Sequence, residues 1–271
     1  MKPIDTYNIV KDDWVCYNSK ICSVACSLGF TNQHSMLDNR IDELVKSFFN
    51  QWQFVISTYQ KLCEMLETLN KCSDTRTHVS IFSEYDNEST SNEIDFKNYS
   101  YLLIVSLKTY LDLFACLVDI IQNQVIREEK KLPDFYNFGQ REKEDICGDI
   151  LIEFNKLRDK DMYPWIALIK EVRNKIIHRG YHLKPGFGFK KSEKLPITVY
   201  KGTDMYCEVI DFEIEELFHN FMTGMPIIEE KVSSIVLECS VALKNKLIID
   251  ASFRYGGLMN EYKYSELVPS N

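Results

Sequence analysis

The chain has 271 residues, 45% hydrophobic and 27% charged, enough to bury one large core in a globular protein. Its net charge of −8 excludes a generally basic nucleic-acid coat and leaves room only for a local basic patch. Nine cysteines, an odd number with no CxxC pair, read as the reduced thiols of a cytoplasmic protein and not as a disulfide framework.

The first residues, "MKPIDTYNIVKDDW", lack the uninterrupted apolar core of a secretory signal. Residues 1–36 read as an irregular segment with a short strand in "ICSVACSLGF". Leu37, Ile41, Leu44, Phe48, Trp52, Val55, Tyr59, Leu62, Leu66 and Leu69 then recur every three or four positions. That spacing predicts a long amphipathic helix, roughly 50 Å at about 1.5 Å per residue. Residues 71–93 are polar and read mostly as a linker.

A second helix is predicted over about 95–130, ending before Pro133. Its apolar run at 99–121 has the length of a membrane span, but Lys108, Asp112 and Asp119 interrupt it. Charges at mid-span are costly in hydrocarbon, so the run reads as the buried helix of a soluble bundle, with no membrane expected. Tyr101, Lys108, Asp112, Asp119 and Gln122 form one polar stripe, within which Lys108 and Asp112 are an i, i+4 ion pair.

A third helix is predicted at 141–160 and a fourth at 163–178, with Pro164 in its first turn and Gly180 at its C-terminal cap. Residues 181–194, "YHLKPGFGFKKSEK", read as a basic, aromatic loop, and "LPITVYKGTDMYCEVIDF" as two strands around a turn at Gly202. Asp211 is placed as the cap of a further helix, interrupted by Gly224 and Pro226, with a last helix to about Ile249. The fold class is therefore all-α, a bundle of long helices over 37–250 with a small β-hairpin inserted late, flanked by residues 1–36 and a tail at 251–271.

The stretch "EVRNKIIHRG", residues 171–180, concentrates the chemistry. On a helical wheel Trp165, Ile169, Val172 and Ile176 form the core stripe, and Arg173 and His178 stand about 140° apart. They bracket a second face of Ala167, Lys170, Asn174 and Ile177, which suits cover by another helix or a second subunit. Histidine moves protons near neutral pH, and arginine offers phosphate oxygens a fixed charge with a planar donor fork. Together they can cleave RNA without metal, using the ribose 2′-hydroxyl as the internal nucleophile. The plainer reading is that a basic residue and a histidine merely complement the C-terminal end of the helix dipole. Against it, residues 170–194 carry eight Lys or Arg and only two acids, Glu171 and Glu193, in an acidic chain. Tyr181, Phe187 and Phe189 are interleaved there and suited to stacking on bases, although a solvated, glycine-rich turn has the same composition.

"RNKIIHRG" resembles the signature of the HEPN superfamily: an arginine, commonly a polar residue next, then a histidine after four to six intervening residues. Arg173, Asn174 and His178 fill those slots, and the upstream helix "SLKTYLDLFACL" resembles the family helix that faces the motif with a polar or acidic residue. The resemblance covers roughly 37–180 and the last helix. It implies a helical bundle that dimerises with its motifs close together and acts as a metal-independent endoribonuclease in toxin–antitoxin or phage-defence systems. Some members are noncatalytic and bind nucleotides or protein partners. Carried over by position, Arg173 and His178 are catalytic with Asn174 orienting one of them. Lys175, Arg179 and His182 contact substrate, and Asp112 with Lys108 beside it is the facing polar pair. The partners expected are RNA, a second copy of the chain and an antitoxin or regulatory protein. No metal or cofactor is expected: Cys16, Cys22, Cys26 and His34 fit no common zinc spacing, and "GFG" at 186–188 is too weak for a phosphate loop.

Overall fold

The computed structural model describes residues 19–29, 36–74, 87–124, 132–139, 146–179, 181–185, 196–201 and 210–240. Among them the protein is mostly helical. In chain order come α1 (Lys20–Gly29), α2 (Met36–Asp74), α3 (Asn87–Asn123), a single 3-10 turn (Phe135–Asn137), α4 (Gly148–Leu157) and α5 (Pro164–Arg179). Three strands follow, β1 (Tyr181–Pro185), β2 (Pro196–Lys201) and β3 (Ile210–Glu213), and then α6 (Ile214–Cys239).

The long helix α2 forms for the reason its spacing predicts: Ile41, Leu44, Phe48, Trp52, Val55, Tyr59, Leu62 and Leu66 are all buried along one side. They pack against α3, the central element, which also touches α1, α5, α6, β1 and the 3-10 turn. Aromatic rings concentrate where α2, α3 and α6 meet. Tyr59 and Phe218 stack at 3.7 Å between centroids, and Trp52 lies 5.5 Å from Tyr110 and 5.3 Å from Phe221. Pairs of this kind add about 0.5–1.5 kcal/mol beyond the area they bury. Within α3, the stretch Ile94–Asn123 is long and apolar enough to cross a membrane by length and composition, and 61% of its apolar window is buried inside the fold.

Several expectations are corrected. "ICSVACSLG" is helical, not a strand in an irregular segment, and Ile21, Cys22, Val24, Ala25, Cys26 and Leu28 are buried around its circumference. Its buried serines are satisfied within the helix: Ser23 Oγ donates to the Ser19 carbonyl at 3.2 Å and Ser27 Oγ to the Ser23 carbonyl at 2.9 Å. The expected linker at 71–93 is shorter at both ends, because α2 runs to Asp74 and α3 starts at Asn87. Helix α3 stops at Asn123, not near 130, where Gln124 turns to a left-handed φ of 52°. The third predicted helix is the ten-residue α4. The predicted helix residues at 141–145 and 241–250 lie outside the described residues.

The hairpin is a three-stranded antiparallel sheet in the order β1-β2-β3, because the supposed loop begins with a strand. Leu183 faces Val199 in register, and Tyr181, Leu183, Ile197 and Val199 are buried at alternate positions, the period-two signature of a sheet with one face on the helices. Asp211 belongs to β3 and the N-cap of α6 is Glu213. Helix α6 also runs unbroken through Gly224 and Pro226. An internal proline costs about 3 kcal/mol in an isolated helix. Here the buried stripe of Leu217, Phe221, Met225, Ile228, Val232 and Val236 continues on both sides of it, and packing holds the helix together. A Cβ on Gly224 would stand 3.2 Å from Trp165 Cζ2, so the glycine lets the indole lie against the helix backbone.

Candidate functional site

Helix α5 packs Ile166, Ile169 and Val172 into the core and turns its opposite side toward the 3-10 turn. On that side Arg173 Nη1 donates to Asn174 Oδ1 at 3.1 Å and stands 2.8 Å from His178 Nε2. The 140° between the two positions is bridged by the length of the arginine side chain. A guanidinium has only donors, so in this contact His178 Nε2 is the acceptor.

Arg173, Asn174 and His178 open onto a cleft of about 400 Å³, shared with Lys108 of α3 and Lys170, one turn earlier on α5. Asp134, Tyr136 and Asn137 line the opposite wall. Among the described residues, Lys108, Lys170 and Arg173 thus face one cavity whose single acid is Asp134. Lys170 Nζ lies 5.0 Å from the centroid of the Tyr136 ring, over which its charge is favourably placed. Tyr136 donates its hydroxyl to the Ile166 carbonyl at 2.8 Å, and burial with Asp112 and Asp134 nearby pushes that phenol above its usual range.

Asp112 stands behind the cleft, not in its lining. One carboxylate oxygen accepts from Lys108 Nζ and the other from the Phe135 backbone N–H at 3.1 Å, so it holds the cation and the wall together. Burial raises its carboxyl from the ordinary value, opposed by Lys108. Lys108 Nζ is also 3.6 Å from Asp134 Oδ1, and Asp134 in turn caps the 3-10 turn by accepting from the Tyr136 N–H at 2.9 Å. The wall is fastened from α4 as well: Arg158 Nε donates to the Phe135 carbonyl at 3.0 Å, and Phe138 stacks on Phe154 at 4.1 Å.

Of the remaining expected substrate contacts, Lys175 does not reach the cleft. It is buried, paired with Glu171 at 3.0 Å, and its Nζ sits 5.4 Å from the Tyr181 ring on the sheet side of α5. Arg179 ends α5 and His182 lies in β1 opposite Tyr200, but their side chains lie outside the described residues, as does the basic loop at 186–195. Sequence reasoning missed Lys170, Asp134, Tyr136 and Asn137 as site residues. Lys170 was within reach, being three positions before Arg173 on the same helix face. Comparison of the chain with protein-family models, curated proteins and solved structures gave no match.

The arrangement suits an anion. Lys108, Lys170 and Arg173 would meet phosphate oxygens with donors the solvent cannot reorganise away, and His178 adds a group able to take or give a proton.

Proposed function

We propose that the protein is a metal-independent endoribonuclease of HEPN type, acting as a toxin or anti-phage defence effector in the cytoplasm. The contact of Arg173 Nη1 with His178 Nε2 at 2.8 Å, inside a cleft that also collects Lys108 and Lys170, carries this reading. When RNA enters, Arg173 turns its donors to the scissile phosphate and releases His178 Nε2. The freed nitrogen takes the proton of the ribose 2′-hydroxyl as that oxygen attacks phosphorus. The bond from phosphorus to the 5′-oxygen of the next nucleotide breaks, that oxygen takes a proton from water, and the products are a 2′,3′-cyclic phosphate and a 5′-hydroxyl. Asn174 orients Arg173, and Lys108, held by Asp112, steadies the backbone. The site is composite, completed by a second copy, and the exposed Ile177 beside it supplies apolar surface for that contact. An antitoxin or regulatory protein would restrain it.

The test is cleavage of RNA by the purified protein with chelator present. Single-stranded RNA should be cut to cyclic-phosphate ends, and the same sequence with 2′-deoxy sugars should stay intact. His178→Ala should lower the rate by about 10²–10⁴, and Arg173→Ala by about 10²–10³. Undiminished cleavage by His178→Ala would end the assignment.

A second reading has one observation behind it. The histidine nitrogen that a base needs is occupied by Arg173, which is also how a static anion-binding cleft would be built. In that version the bundle is a noncatalytic scaffold for a nucleotide or protein partner. It binds RNA or nucleotide without cutting, and its expression in a bacterial host is harmless.

A further inference from the structure

Cys147 occupies the N-cap position of α4 and Cys239 is the last residue of α6. Far apart in the chain, they meet because α4 packs against α6, which brings their sulfurs within 4.8 Å of each other. Asp149, in the first turn of α4, brings its carboxylate to the same place. The two sulfurs and a carboxylate oxygen all lie within 4.8 Å of one another. We propose that Cys147, Cys239 and Asp149 form a binding site for a borderline-soft divalent cation of the zinc class, with a water or a further ligand at the fourth position.

The dimensions fit. Sulfurs about 2.3 Å from a tetrahedral zinc stand about 3.8 Å apart, inside the observed limit, so rotamer adjustment and no backbone movement would close the site. A cation bound there would displace both thiol protons, so uptake should be tighter at higher pH. The surroundings carry the right sign: Asp149 and Glu238 both set negative charge against Cys239. Both cysteines are partly buried and Asp149 is exposed, which leaves solvent access and an open coordination position. The occupied site would fasten the start of α4 to the end of α6. None of its residues lines the Arg173 cleft, so the proposal stands independently of the ribonuclease reading.

The experiment is anaerobic titration of the reduced full-length chain with Co2+, followed by thiolate-to-cobalt charge-transfer absorption. One equivalent should develop the band, and Zn2+ should bleach it by displacement. Cys147→Ser and Cys239→Ser should each abolish the band, and Cys63→Ser, a buried cysteine elsewhere, should leave it unchanged. Asp149→Ala should weaken binding at least about tenfold, since loss of an outer-shell partner alone costs ~10–100-fold. Circular dichroism confirms that each variant is folded. No band in the reduced parent, or a band that survives in the Cys147→Ser/Cys239→Ser double variant, overturns the site. So does a chain that oxidises to a Cys147–Cys239 disulfide but takes up no Co2+ when reduced.

Discussion

Tyr110 and Lys108 are two positions apart on α3 and face opposite surroundings. Tyr110 points into the core, where its hydroxyl donates to Glu229 at 2.7 Å and Ser19 donates to the same carboxyl at 2.6 Å. Glu229 is fully buried, and burial pushes its carboxyl well above the ordinary carboxylate range. Lys108 points into the cleft, where its ammonium lies between the Asp112 and Asp134 carboxylates. One helix thus serves a dry region that favours a neutral acid and an open cleft onto which cations converge. A buried ionisable group is therefore no sign of function by itself; what distinguishes the cleft is that its charges converge on open space.

The comparison breaks most visibly on the dry side. Trp52→Ala should cost about 3–5 kcal/mol of stability, because the indole is fully enclosed between Tyr110 and Phe221. Chemical denaturation measures it, and a much smaller loss would mean the aromatic cluster is loosely packed. Glu229→Gln sharpens the contrast through pH. An acid raised in the folded state contributes stability that is present below its unfolded value, about 4.3, and is lost as pH rises through the raised folded value. The parent should lose stability over that window while the glutamine variant does not, as thermal melts across pH would record. Equal slopes would show Glu229 to be charged in the fold.

The smallest effect is expected on the cleft side. Lys170→Ala should leave the melting temperature unchanged, weaken RNA binding modestly and reduce the salt slope of that binding by about 0.7. Weakened binding with an unaltered slope would remove Lys170 from the phosphate contacts.

The long helices were legible because a repeat of three and four leaves a buried stripe, as along Ile41 to Leu66. The helix α1 was missed although Ile21, Val24, Ala25 and Leu28 recur at helical spacing, because a ten-residue apolar run with buried residues on nearly every side is easily taken for a short strand. The continuity of α6 was hidden by Gly224 and Pro226, whose local cost is offset only by contacts with distant residues such as Trp165. Strand β1 was masked by its basic composition, although Tyr181 and Leu183 alternate correctly. In the site, Arg173 and His178 stood out at a basic helix end, the motif resemblance added Asn174, and the i, i+4 pairing picked out Lys108. Lys175 shows the limit of that reasoning, because one helix position carried it to the sheet side. Asp134 and Tyr136 reach the cleft through a turn whose placement depends on Asp112 and Arg158, which no local pattern encodes.

Arg158 gives that dependence a further meaning. Its guanidinium spans the Phe135 and Phe138 carbonyls and Asn155 Oδ1, so the wall opposite the catalytic candidates hangs from a short helix that never meets the cavity. Sequence drift in α4 could therefore retune the width of the opening while every residue in contact with a ligand stayed the same. A lineage could change what the cavity admits by altering its hinge post and not its mouth.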